Sequence, residues 1–130
     1  MKEQKGFEIE VCCRDAAWWQ YNVAFTAACY DREGLRIGFA SSESHMADVG
    51  SNAEPLSVKN REVKLETMPC DHLELYLYII PHSLPEERLI ERTKPFDLTL
   101  KTSYNGKLVR KELIKVNRWG GLSQQMIITH

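Results

Sequence analysis

Apolar and polar residues alternate with a period of two along most of the chain, which is the pattern of β-strands that bury one face. The stretch FEIEV, residues 7–11, places apolar side chains on one face and glutamates on the other. The stretch HLELYLYII, residues 72–80, repeats the pattern over a longer run. One of its faces carries Leu73, Leu75, Leu77 and Ile79, and the other carries Glu74, Tyr76, Tyr78 and Ile80. We expect the leucine-rich face to lie in a core and the tyrosine-bearing face to lie outside it.

A pair of adjacent tryptophans precedes a second strand. In WWQYNVAFTAAC, residues 18–29, alternation places Trp19 on the apolar face that continues through Tyr21 and Phe25. Trp19 is therefore predicted to be buried. Trp18 falls on the opposite, polar face, and three interpretations remain open. It folds over the end of the sheet, it is covered by another segment, or it is exposed and contacts a partner.

Two shorter stretches predict further strands on either side of a long loop. They are LRIGF, residues 35–39, and REVKLET, residues 61–67. Their inward-facing side chains are predicted to be Leu35, Ile37, Phe39, Val63 and Leu65. Residues 40–56 between them contain four serines together with Gly50 and Asn52 and lack periodicity, which is typical of a loop.

A short helix is predicted near residues 84–92, in the stretch SLPEERLIER. Ser83 stands where an N-cap would lie, and Glu86 follows at the spacing of a capping box. Leu89 and Ile90 are expected to pack this helix against the edge of the sheets.

The C-terminal third predicts a hairpin and a last strand. Asn105-Gly106 separates two alternating runs, and both residue types tolerate the positive φ that a two-residue hairpin requires. The run LSQQMIIT, residues 122–129, follows with an inward-facing set predicted to be Leu122, Met126 and Ile128.

About eight strands with intervening turns predict an all-β fold, an antiparallel β-sandwich that is expected to be Greek-key, with a closed barrel as the alternative. Residues 1–130 are expected to form a single domain. The size and strand count are similar to those of C2-type and immunoglobulin-like sandwiches. The chain lacks the calcium-binding aspartate cluster of the former and the Cys…Trp…Cys pattern of the latter, so no family is assigned.

Charge divides unevenly along the chain. The formal net charge is −1, but residues 94–130 contain seven basic and two acidic side chains. Part of this excess forms a candidate basic patch, which could attract an anionic surface. Its members are Lys107, Arg110, Lys111 and Lys115. Nucleic acid is not the expected partner, because the chain is slightly acidic and its basic strands lack interleaved aromatic residues.

The cellular location is expected to be cytoplasmic. The opening residues lack the apolar region of a signal peptide, unless a leader has been removed, and no run of apolar residues is long enough for a transmembrane segment. The four cysteines contain no Cys-x-x-Cys pair, and they are expected to be buried thiols.

Candidate chemistry is sparse. Cys70, Asp71 and His72 bring a thiol, a carboxylate and an imidazole together in sequence, but catalytic cysteine and histidine residues usually meet through the fold. No phosphate-binding loop, nucleophile elbow or zinc-protease motif is present. We therefore expect no metal, no cofactor and no enzyme activity, with an Asp71–His72 enzyme as the least favoured alternative.

The sequence favours a non-enzymatic interaction module that binds a protein partner or a second copy of itself. The candidate contact surface comprises Tyr76, Tyr78 and Ile80, with Trp18 as an extension, because exposed tyrosine and tryptophan are enriched at interface hot spots. The alternative is a ligand-binding β-sandwich that recognises carbohydrate or an anionic surface.

Overall fold

The computed structural model describes residues 5–15, 18–44, 62–83, 85 and 89–130. This part of the chain contains eight strands: β1 (Phe7–Cys12), β2 (Tyr21–Tyr30), β3 (Arg36–Ser44), β4 (Glu62–Glu66), β5 (His72–Pro81), β6 (Phe96–Tyr104), β7 (Lys107–Val116) and β8 (Leu122–Thr129). Two short 3₁₀ turns, Trp18–Gln20 and Ile90–Arg92, are its helical elements.

The strands form two antiparallel sheets of four. Sheet I has the order β4-β1-β6-β7, and sheet II has the order β3-β2-β5-β8. Within the first four strands, β1 lies beside β4, and within the last four, β5 lies beside β8. Each set of four therefore forms a Greek key. The prediction of an antiparallel Greek-key β-sandwich is confirmed.

The core lies between the two sheets, where the predicted inward faces meet. Alternate side chains of β1, β2, β5 and β6 are buried, and they form one apolar cluster. Its largest fully buried members include Phe7, Tyr21, Phe25, Leu75, Leu77 and Leu98. Period-two patterning thus predicted the buried face of each of these four strands.

Two tight turns join neighbouring strands, and the second is the one that the sequence analysis predicted at Asn105-Gly106. Asp31 closes the β2–β3 turn by accepting hydrogen bonds at its side chain from the amides of Glu33 and Leu35. Asn105 and Gly106 join β6 to β7 with φ angles of 50° and 83°. Such positive values are those of a two-residue hairpin turn.

The predicted inward face of β3 is wrong. Leu35, Ile37 and Phe39 are exposed by 66%, 43% and 65%. Pairing with β2 sets Gly38 opposite Cys29, so Gly38 takes the inward position and Phe39 points outward. The side chain of Met68 occupies the space beside Gly38, where a Cβ atom would clash with the Met68 sulfur. Alternation alone placed Gly38 on the outer face, so the pairing with β2 reverses the orientation predicted for this part of the strand.

The predicted loop at residues 40–56 is shorter than expected at its start. β3 continues to Ser44, so residues 40–44 are strand, and the rest of the loop lies outside the described residues.

The prediction that Trp19 is buried is wrong, and Trp18, for which three interpretations were open, is buried. Trp18 is only 3% exposed, while Trp19 is partly exposed. Both lie in the 3₁₀ turn at Trp18–Gln20, in which successive side chains turn by about 120° instead of alternating. Strand alternation therefore begins only at Tyr21. Trp18 packs over the end of the core, with its ring 6.4 Å from that of Tyr21 and 6.2 Å from that of Phe96.

The predicted helix near residues 84–92 is represented by the 3₁₀ turn Ile90–Arg92. Residues 84 and 86–88 lie outside the described part of the chain. Ser83 is buried, and its hydroxyl contacts the ring of His82 at 2.8 Å. Leu89 has an extended backbone. Leu89 and Ile90 are exposed by 44% and 68%, so the prediction that they pack against the edge of the sheets is wrong.

Candidate functional site

The outer face of sheet II carries the three β5 residues that the sequence predicted for partner binding. Tyr78 and Ile80 are exposed by 39% and 45%, and Tyr76 is half-buried. They form a row because the alternate positions of β5, such as Leu77, point into the core. The structure therefore brings these three predicted residues together.

A row of smaller side chains runs beside them on β2. Ala24 lies opposite Tyr78, Thr26 opposite Tyr76, and Asn22 opposite Ile80. Neighbouring strands are about 4.8 Å apart. The large side chains of β5 thus form a ridge, and the small side chains of β2 form a groove immediately beside it.

Three further exposed apolar side chains lie on this face or at its edge, outside the set that the sequence predicted. Phe39 on β3 borders the groove on its other side, where it lies opposite Ala28, and Ile37 is exposed at the bulge in the pairing of β3 with β2. Ile127 on β8 is exposed by 60% and lies opposite Glu74. The sequence does predict an outward Ile127, because its neighbours Met126 and Ile128 are both predicted to face inward. We call Ile37, Phe39, Tyr76, Tyr78, Ile80 and Ile127 the apolar face.

Tyr76 is held at the centre of the apolar face by two hydrogen bonds. Its hydroxyl donates to Glu74 Oε2 at 3.0 Å and accepts from Gln125 Nε2 at 3.3 Å. The bond to the Glu74 carboxylate raises the pKa of Tyr76 above its usual value. These two bonds orient the Tyr76 ring, and they give the nearby Glu74 carboxylate a hydrogen-bond partner.

Trp18 is not part of the apolar face. Its indole is buried over the core beside Tyr21, whose side chain points inward. The expectation that Trp18 extends an exposed contact surface is therefore wrong, and the first of its three interpretations describes the structure.

The predicted basic residues do not form one compact patch. All four are exposed, but they are spread along β7, an edge strand, over about 26 Å. Lys115 pairs with Asp97 at 2.9 Å, and Arg110 pairs with Glu112 at 3.2 Å. Lys107 is the first residue of β7, next to the hairpin turn, and Lys111 lies opposite Lys101 of β6.

The Cys70–His72 segment places its three side chains in different environments. His72 Nδ1 lies 2.9 Å from Asp71 Oδ2, and the His72 ring stacks on Tyr30. Cys70 is buried, and burial followed by the neighbouring Cys29 thiol raises its pKa to about 12. A thiol that stays protonated at neutral pH is a weak nucleophile. The geometry therefore gives no support to Cys70 as a catalytic residue.

Other features of the described residues bear on cofactors and membranes. Nowhere in them do three or more His, Cys, Asp or Glu side chains come together as metal ligands. None of their helical segments has the length and apolarity needed to cross a membrane. Cys12 is half-buried, the other three cysteines are buried, and the four form no disulfide with one another.

Comparison with known proteins gives a likeness in fold. No protein-family model and no curated protein matches the chain. Among solved structures, it is similar to a domain of unknown function, DUF4425, from Bacteroides vulgatus, with a TM-score of 0.50 and 12% identity over 99% of this chain and 98% of that one. A DUF4425 family protein from Bacteroides ovatus has a TM-score of 0.44 and 11% identity, over 95% and 94%. At 12% identity, the likeness to the first structure concerns the all-β fold alone.

Proposed function

We propose that the protein is a non-enzymatic interaction module that associates with a second copy of itself through the apolar face of sheet II. The observation that carries this proposal is the set of large apolar side chains exposed on one sheet face. Phe39, Ile127 and Ile80 are exposed by 65%, 60% and 45%. A concentration of exposed apolar side chains on one face is typical of a contact site in soluble proteins.

The arrangement of ridge and groove favours a second copy as the partner. A two-fold axis that runs along the strands between β2 and β5 would place the β5 ridge of each copy over the β2 groove of the other. Tyr78 would then face Ala24 of the second molecule, and Phe39 would face its Ile127. Self-complementarity of this kind is what a symmetric dimer requires of a single surface.

The dimensions of the face suit a protein partner. Four strands at about 4.8 Å spacing, each with about eight residues, make a surface of roughly 19 Å by 27 Å. A standard interface uses about 800 Å² of accessible surface on each partner. Side chains projecting from such a sheet supply an area of that order, whereas a small ligand would cover only a part of it.

Light scattering at several protein concentrations tests the proposal. We expect the wild-type protein to form a dimer as concentration rises, and Ile127→Lys to remain a monomer with an unchanged melting temperature. Leu113→Lys is the matched control, because Leu113 is 70% exposed on the outer face of sheet I. A wild-type protein that stays monomeric at all concentrations, or a dimer that only Leu113→Lys disrupts, would contradict the proposal.

A further inference from the structure

The outer face of sheet I contains a depression of about 640 Å³ that the proposed self-association does not use. Its lining includes Arg14, Asp97, Thr99, Lys101 and Lys111. β1, β6 and β7 position these residues, with Arg14 just beyond the end of β1. Three cationic side chains and one carboxylate thus surround a single cavity.

Lys101 and Lys111 lie directly opposite each other on β6 and β7. Like charges in this position repel each other. Within the described residues, neither lysine has an ion pair with a carboxylate, and the same holds for Arg14. Other cations on the strands of this sheet do have one, since Lys64 pairs with Glu8 at 3.4 Å and Lys115 with Asp97 at 2.9 Å.

The two acidic residues nearest to the lysines do not balance the positive charge. Asp97 is held by Lys115. Glu10 lies opposite Lys101 on β1, where its carboxylate accepts a hydrogen bond from the Cys12 thiol at 3.2 Å. With Asp97 paired to Lys115, Arg14, Lys101 and Lys111 still outnumber the carboxylate of Glu10, and the register of three strands holds this excess of positive charge in place.

We propose that this depression binds a small molecule that carries a phosphate or pyrophosphate group. A guanidinium presents a planar fork of donors that matches phosphate oxygens, and an ammonium group adds a compact charge. The Thr99 hydroxyl supplies one further donor. The volume falls within the range of small-ligand sites, and bound phosphate would relieve the repulsion between Lys101 and Lys111.

Calorimetric titration with inorganic pyrophosphate at low and high salt tests this site. We expect saturable binding that weakens with salt, because the contacts are charged. Lys101→Gln and Lys111→Gln should each weaken binding by at least about fivefold. Lys107→Gln is the matched control: it removes the same charge from β7 outside the depression, and it should change affinity by less than about twofold.

Thermal melting gives a second readout. Pyrophosphate should raise the melting temperature of the wild-type protein but not that of Lys101→Gln, since only a bound ligand stabilises the folded state. Absence of saturable binding, or an equal loss in all three variants, would overturn the proposal. Tighter binding of phosphatidylserine vesicles or a DNA oligonucleotide than of pyrophosphate, with the same sensitivity to Lys101→Gln and Lys111→Gln, would overturn the assignment to a small molecule.

Discussion

Tyr21 shows how burial changes the chemistry of a single residue. Its ring is 1% exposed, and its hydroxyl donates a hydrogen bond to the backbone oxygen of Arg118 at 2.7 Å. Burial is the main reason that its pKa rises to about 12. The guanidinium of Arg118, which binds Asp15 through two hydrogen bonds, partly opposes this rise.

These pKa shifts predict that stability falls in alkaline solution. The unfolded chain loses the Cys70 proton near pH 9 and the Tyr21 proton near pH 10, while the native state retains both until about pH 12. The free energy of unfolding should therefore fall from about pH 9 upward, by about 1.4 kcal/mol per pH unit for each retained proton. Urea unfolding between pH 8 and pH 11 measures this slope. Tyr21→Phe should flatten it above pH 10, and an unchanged slope would show that Tyr21 ionises normally.

The tryptophan pair gives a second prediction at the scale of single residues. Trp18→Ala should lower the free energy of unfolding by about 3–5 kcal/mol, because it removes a buried indole. Trp19→Ala should cost about 1 kcal/mol, because its ring is already partly in water. Urea denaturation of both variants compares them directly. Equal losses would mean that the 3₁₀ turn at Trp18–Gln20 does not persist in solution.

At the scale of the strands, β5 allows a direct test of the two faces. Leu77 is fully buried between Phe25 of β2 and Gln124 of β8. Leu77→Ala should cost about 2–5 kcal/mol. Tyr76→Ala should lose less than half as much stability, because its ring points away from the core. Both are best measured in the monomeric Ile127→Lys background, so that association does not contribute; equal losses would contradict the assignment of faces.

Alternation of side chains predicted most of the fold because it follows directly from strand geometry. It succeeded for β1, β5 and β6, where every second residue is apolar. It failed for β3, where Phe39 is outward, because an apolar side chain on an edge strand does not reveal which face is covered. The register with β2 decides that question, and register arises from pairing between distant parts of the chain.

The candidate sites were predictable only where one strand contained them. Tyr76, Tyr78 and Ile80 share β5, so their common face could be predicted from the sequence. The cluster of Arg14, Lys101 and Lys111 could not, because three different segments supply it. Their approach depends on the order of the strands in sheet I, which no local pattern encodes.

At the scale of the whole molecule, the two outer faces differ in chemistry. Sheet I presents lysines and carboxylates, including Lys64, Glu8 and Lys111, whereas sheet II presents the apolar face. If both proposals hold, association through sheet II leaves the phosphate site of sheet I open to solvent on each copy. We therefore expect pyrophosphate affinity to be the same for the wild-type protein and for Ile127→Lys, as measured by calorimetry. A loss of affinity in Ile127→Lys would show that the two faces are coupled.

The strand order also has a consequence for the way in which this chain acquires its structure. Each sheet combines strands from both halves of the chain, and Phe7 of β1 pairs with Tyr104 of β6. During synthesis, the apolar sides of β1 and β2 must therefore wait for β6 and β5 to leave the ribosome. Folds dominated by such distant pairings fold slowly, in milliseconds to seconds. This protein is therefore most exposed to aggregation, and most dependent on chaperones, while only the first half of its chain has been synthesised.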